Sequence, residues 1–141
     1  MHVIVETSKG TIAFLLRTQE APKACENFVK LVREGFYTNL KWHRVIENFM
    51  AQTGCPSGDG KGGPGYTIDA EKTERKHVKG AVAMARLKGD QNHGSQFYIA
   101  RASLPHLDGE YTVFGNVTSG LQVLDKLEQG DELRSVRLLA N

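Results

Sequence analysis

The chain has 141 residues, 40% hydrophobic and 24% charged, which is the composition of an ordinary globular fold long enough to close one hydrophobic core. Its 18 basic and 16 acidic side chains leave a formal net charge of +2 and are spread along the sequence, so there is no basic stripe to meet a nucleic acid and no cluster to meet an acidic membrane surface. No segment approaches the roughly 18 apolar residues of a membrane span, and Met1 to Thr7 alternates where a leader would run from basic to apolar. These features predict one domain over residues 1–141, untargeted and cytoplasmic.

In chain order, His2 to Thr7 and Thr11 to Leu16 read as strands, joined by Ser8-Lys9-Gly10 at hairpin length. Pro22 suits a first helical turn, and Ala24, Phe28, Leu31 and Val32 recur at helical spacing until Gly35, predicting an amphipathic helix over roughly residues 22 to 34. Short apolar stretches follow at Trp42 to Ile46, Phe49 to Gln52, Ala81 to Ala85, Phe97 to Ala100 and Val113 to Val117, each bounded by Gly, Asn, Asp or Pro, and read as strands. Ser119 with Gln122 has the spacing of a capping box, Leu121, Leu124 and Leu127 give an apolar face, and Gly130 marks a stop, so a second short helix is expected there. Ser135 to Leu139 returns as a last strand. About eight strands with two helices and no internal repeat predict a mainly β fold, a closed eight-stranded antiparallel β-barrel capped by two α-helices, in which closure removes exposed sheet edges.

Few segments carry recognisable chemistry on their own. Gly58, Gly60 and Gly63 satisfy G-x-G-x-x-G, but Pro64-Gly65-Tyr66-Thr67-Ile68 leads into extended chain instead of a helix whose amides could meet a pyrophosphate, so the stretch is a surface loop. The histidines at 2, 43, 77, 93 and 106 show no helical ligand spacing, and Cys25 and Cys55 match no zinc or disulfide pattern, so neither a metal nor a cofactor is expected. Cys25 reads as a small apolar residue on a helix face. Ser95 lies in no nucleophile elbow and is expected to be a small polar residue at a strand start. On pattern alone, Phe49, Met50 and Phe97 are core and Arg44 is an edge charge. Strict alternation would separate Phe49 and Ala51 from Met50 and Gln52, so gathering them at one site requires a bulge or a curved wall.

A run of segments nevertheless resembles one family. Asn27-Phe28 in the first helix, Trp42-His43-Arg44-Val45-Ile46, Phe49-Met50-Ala51-Gln52-Thr53-Gly54, Gly62-Gly63-Pro64-Gly65-Tyr66, Ala83-Met84-Ala85-Arg86, Gly94-Ser95-Gln96-Phe97-Tyr98-Ile99, Leu107-Asp108-Gly109 and Val113-Phe114-Gly115 are similar, in order and spacing, to the cyclophilin peptidyl-prolyl isomerases. The resemblance covers nearly the whole chain and implies a barrel of the kind expected above. It implies catalysis of cis/trans rotation about Xaa-Pro bonds, assisting protein folding, with Arg44, Gln52 and Phe49 as the catalytic group. Phe49 would join Met50, Tyr98 and Leu107 in a proline pocket, Ala85, Arg86 and Gln96 would flank the substrate backbone, and His106 and Tyr111 would stand at the rim. The implied partners are proline-containing peptides and flexible protein segments, with no nucleic acid, membrane, metal or cofactor, and the chain acting as a monomer. Tyr98, His106, Tyr111 and Arg86 replace the family's commoner phenylalanine, tryptophan, histidine and asparagine. Histidine at 106 implies weakened binding of cyclosporin-like cyclic peptides, and the hydroxyl of Tyr98 must reach solvent or a partner. A proline-capturing barrel without turnover is the rival expectation.

Overall fold

Val3, Val5 and Thr7 of β1 (His2–Thr7) and Ile12, Phe14 and Leu16 of β2 (Gly10–Leu16) are buried on one face, as alternation requires, and the two strands close a hairpin from His2↔Leu15 to Thr7↔Gly10. The structure is a computed structural model that describes residues 1–86 and 93–139. The other strands are β3 (Leu40–Lys41), β4 (Arg44–Ile46), β5 (Met50–Thr53), β6 (Ala81–Arg86), β7 (His93–Ala100), β8 (Val113–Ser119) and β9 (Glu132–Leu139). All pair antiparallel in one sheet of order β3-β9-β1-β2-β8-β6-β7-β5-β4. Its two ends, β3 and β4, are successive in the chain and separated by Trp42 and His43 alone, so the sheet curls round until covalent chain links its edges. The barrel-like antiparallel sheet with two helices agrees with expectation. The described residues form nine strands where about eight were expected, because the stretch from Leu40 to Ile46 is split into a two-residue piece on β9 and a separate strand on β5.

Inside the curl, Phe14, Phe28, Phe97 and Phe114 pack with ring centroids 5.3 to 6.4 Å apart, mostly tilted or edge-on as ring quadrupoles favour. Tyr37 and Trp42 extend this cluster, and all six rings are essentially inaccessible to solvent. Truncating one of the phenylalanines to alanine would cost about 3 to 5 kcal/mol. The first helix, α1 (Pro22–Arg33), starts with proline where a missing N–H is harmless and buries Ala24, Cys25, Phe28, Leu31 and Val32 against the barrel. The Cys25 thiol lies 3.5 Å from the Phe114 carbonyl and burial pushes its pKa up to about 12, so it is a packing residue, as its spacing predicts.

The second helix, α2 (Leu121–Lys126), does not begin with the capping box expected at Ser119. Ser119 remains in β8, paired with Ala13, and the N-cap is Gly120 with φ 96° and no side-chain cap. A Cβ at Gly120 would lie 2.5 Å from the Thr11 carbonyl oxygen, so sheet pairing and this close approach decide the turn instead of a hydroxyl cap. Among the described residues, no helix is long and apolar enough to cross a membrane.

A second apolar cluster covers the outer face of the central strands. Met50, Ala81, Ala83, Ala85, Tyr98, Ala100, Leu104 and Val113 form it, so that the last four residues of β7, whose eight residues are all buried, alternate between the inner cluster (Phe97 and Ile99) and this one (Tyr98 and Ala100). The alanines of β6 have no length to fill the space beside Met50 and Tyr98, and a hollow results there.

Candidate active site

The hollow is organised by a row of partners running across four strands. Arg44 on β4 pairs with Gln52 on β5, Gln52 with Tyr98 on β7, and Tyr98 with Ala83 on β6, so their side chains project from the same outer face. The cavity beside this row has a volume of about 110 Å³. Met50, Tyr98, Ala85 and Leu107 give it apolar walls; Arg44 and Gln52 bring polar groups to one side and Arg86 and Tyr111 to the other, with Phe49 at the edge. A larger groove of about 920 Å³ runs along α1 past Lys23, Lys30 and Arg33, and none of the residues of the cross-strand row lines it.

Phe49 joins the site by a route that alternation does not anticipate. Ile46 pairs with Met50, which leaves Glu47, Asn48 and Phe49 as a three-residue hairpin loop. Asn48 takes φ 59°, and the Phe49 N–H donates to the Ile46 carbonyl at 3.2 Å. Phe49 therefore leaves strand geometry before it reaches the hollow, and no bulge within β5 is needed. Met50 and Gln52 face the hollow through ordinary alternation, while Ala51 belongs to the inner core.

All but two of the anticipated residues line the cavity. Gln96 stands beside it as a fastener: its Nε2 donates to the carbonyls of Gly60 at 3.0 Å and Gly62 at 2.9 Å, and its Oε1 accepts from Gln52 Nε2 at 2.9 Å. With both of those amide groups committed, Gln52 keeps its own Oε1 to accept a bond, and it lies cross-strand from Arg44. The glycine-rich stretch is held further by Asp59, which accepts from the Ser57 hydroxyl at 2.6 Å and the Lys61 N–H at 2.9 Å. This matches the tightly turned loop expected there. Ser95, as expected, has a structural part, its hydroxyl donating to the Gly54 carbonyl at 2.6 Å. His106 is exposed on the 3-10 turn Pro105–Leu107 and stacks on Phe49 with centroids 6.2 Å apart.

Arg44 is exposed at the rim, and among the described residues no carboxylate forms an ion pair with it. A second guanidinium, that of Arg86, lies 4.4 Å from the centroid of the Tyr111 ring, and Tyr111 meets Tyr98 edge-on at 5.8 Å. Arg86 thus closes one wall with its side chain, a role the motif alone does not imply.

Two residues behind the hollow escaped sequence reasoning. His77 Nε2 lies 2.7 Å from the Tyr98 hydroxyl and its Nδ1 lies 3.1 Å from Asp108 Oδ1. Burial pulls His77 below the ordinary imidazole value, partly offset by Asp108, whereas burial raises the Tyr98 phenol well above its own. The one available signal was the extra hydroxyl at Tyr98, which demanded a partner somewhere. Among the described residues, no group of three or more His, Cys, Asp and Glu is arranged to hold a metal.

The chain is similar to known proteins over nearly its whole length. The family model described as cyclophilin type peptidyl-prolyl cis-trans isomerase/CLD matches residues 2–141. A peptidyl-prolyl cis-trans isomerase of Helicobacter pylori is 50% identical over 139 residues, covering 96% of this chain and 85% of the relative. Peptidyl-prolyl cis-trans isomerase B of Bacillus subtilis is 47% identical over 129 residues, 90% of each chain. A crystal structure of a Cryptosporidium parvum cyclophilin type peptidyl-prolyl cis-trans isomerase, in the presence of the dipeptide Ala-Pro, superposes with a TM-score of 0.92 at 33% identity and covers both chains completely.

Proposed function

The chain belongs to the cyclophilin-type peptidyl-prolyl cis-trans isomerase family, and from that premise we propose that the hollow beside Arg44 holds a proline ring while the preceding peptide bond rotates. The observation that carries this is the cross-strand row, which brings Arg44 and Gln52 to the lining of a small cavity that Met50, Tyr98, Ala85 and Leu107 also line. Rotation about an Xaa-Pro bond is opposed by about 18 to 20 kcal/mol because conjugation between carbonyl and nitrogen is lost midway. Uncatalysed exchange takes tens to hundreds of seconds, so a turnover of about 10 to 1,000 per second needs roughly 4 to 7 kcal/mol of stabilisation.

No covalent chemistry is required. In the twisted state the proline nitrogen becomes pyramidal and basic, and Arg44 donates to it and to the proline carbonyl more strongly than in either planar form. Gln52 orients the guanidinium through its free Oε1, and Gln96 fixes Gln52. Met50, Phe49, Tyr98 and Leu107 grip the ring, and Ala85 and Arg86 border the path of the substrate backbone. An arginine stays charged at any working pH, so it serves as a donor and not as a proton shuttle.

In this proposal the chain acts as a monomeric, cytoplasmic, single-domain assistant of folding on proline-containing peptides and flexible segments. Cyclosporin-like peptides bind weakly, because imidazole at His106 lacks the apolar face of an indole. Exchange NMR on a short Ala-Pro peptide tests the function: the chain should speed interconversion, and Arg44→Ala should lower kcat/KM by about 10² to 10³ while remaining folded. Resonances that shift without faster exchange would make the protein a proline-binding module, and unchanged turnover in folded Arg44→Ala would remove the mechanism.

A further inference from the structure

Tyr98 is 5% exposed within an apolar cluster, a place where a hydroxyl without a partner would be costly. It finds one in His77, which is 1% exposed and does not itself line the hollow. His77 uses all four of its polar groups: its N–H donates to Asp108 Oδ1 at 2.6 Å, its carbonyl accepts from the Leu104 N–H at 2.7 Å, and its two ring nitrogens meet Asp108 and Tyr98. The imidazole and phenol planes are near parallel, 15° apart with centroids 5.9 Å apart. One buried side chain therefore ties a pocket wall on β7 to the 3-10 turn that carries Leu107.

The chemistry of these three groups fixes where their hydrogens lie. An ionised carboxylate only accepts, so His77 Nδ1 carries its hydrogen toward Asp108. The Nε2 of a neutral ring is then an acceptor, and the Tyr98 hydroxyl has to donate to it, turning its hydrogen away from the proline cavity. Adding a proton to His77 reverses the bond: Nε2 becomes a donor, Tyr98 an acceptor, and the phenolic hydrogen is left to swing out among apolar neighbours.

We propose that His77 and Asp108 are positioning residues of the isomerase site, acting through the Tyr98 hydroxyl to keep the wall that faces the proline ring free of a hydrogen-bond donor. This rests on Tyr98 bounding the proline cavity, as proposed above. The charged and titratable groups around the relay are Asp108 and His106 from the 3-10 turn and its exit, Lys76 on the segment of His77, and Arg86 and Tyr111 beyond Tyr98. Burial outweighs the attraction of Asp108 and holds His77 below 6.5, so the reversal belongs to acid solution.

The test follows kcat/KM on the Ala-Pro peptide by exchange NMR from about pH 4 to about pH 8, together with the titration and tautomer of His77 by heteronuclear NMR. Near neutrality His77 should carry its hydrogen on Nδ1, and kcat/KM should fall about tenfold with the midpoint at which His77 gains its proton. Asp108→Asn should move both midpoints to lower pH together. Tyr98→Phe should lose the limb that follows His77, whatever its activity at neutral pH. A hydrogen on Nε2 near neutrality, activity that stays level through the His77 titration, the same limb in folded Tyr98→Phe, or midpoints that separate in Asp108→Asn would each overturn the proposal. A chain with no isomerase activity at neutral pH would sink the function proposed above, and this inference with it.

Discussion

His93 opens β7 with its ring sealed from solvent, 1% exposed, and among the described residues neither ring nitrogen has a hydrogen-bond partner. Its backbone is held from both sides, bridging to Ile68 with N···O distances of 2.8 and 3.2 Å and pairing with Arg86. Burial lowers its pKa from 6.5 to about 4, Arg86 adding to the effect and Glu71 opposing it. The folded chain therefore binds a proton here less readily than the unfolded chain, so this site's contribution to stability is complete above about pH 6.5 and is lost as pH falls toward 4. At 1.36 kcal/mol per unit, the loss from His93 alone is about 2 kcal/mol by pH 5 and about 3 kcal/mol by pH 4. Urea unfolding read by the fluorescence of Trp42, the one tryptophan and a buried one, measures it directly. His93→Leu changes the stability at every pH, but only the difference in slope matters, and its curve should be flatter than that of the parent by those amounts. His77 contributes with the same sign in both proteins and cancels. Asp59, lowered by the Ser57 hydroxyl, and Asp108, lowered by the His77 N–H, hold stability that is lost as pH falls through and below the ordinary carboxylate range, and they too are common to both proteins and cancel. Parallel curves for the two proteins between pH 7 and pH 4 would refute the assignment.

Two further outcomes follow from the site. Gly54 has φ 93°, and a Cβ there would lie 2.5 Å from the Ser95 carbonyl oxygen, so Gly54→Ala should lose at least the roughly 1 to 3 kcal/mol of a strained residue, measured as a lower urea midpoint; parent-like stability would contradict the close approach. His106→Trp should tighten cyclosporin binding measured by titration calorimetry, because an indole adds apolar face and a donor at the rim; a nanomolar constant already present in the parent would refute the role given to His106.

The sequence was most informative where one periodicity governs a whole element. The hairpin of β1 and β2 and the span of α1 follow from alternation and from Pro22 and Gly35, and the structure keeps both nearly to the residue. Boundaries set by distant contacts were hidden: Ser119 is spent on pairing with Ala13, so the capping pattern at Ser119 and Gln122 never forms. The candidate cavity residues were legible through family motifs, since on pattern alone Met50 and Tyr98 are indistinguishable from core. Phe49 required the left-handed turn at Asn48, and His77 required knowing that a segment more than twenty residues away folds behind Tyr98. No local rule encodes either.

The placement of Arg44 follows from the packing of the core beneath it. Val45, Ala51, Ile99 and Val82 are cross-strand neighbours on the inner face, and the adjacent outer row is Arg44, Gln52, Tyr98 and Ala83. Because side chains alternate strictly, a slip of one residue in β5 or β7 would push Gln52 or Tyr98 into the aromatic core and bring Ala51 or Ile99 to the hollow. Ala51, Ile99 and Val82 have no solvent exposure, so a slipped register loses buried apolar area and strands an amide or phenol inside it. The hydrophobic energy that holds the register of the sheet thus also holds Arg44, Gln52 and Tyr98 in one outer row, and the polar contacts of Gln96 and His77 then fix the individual side chains within it.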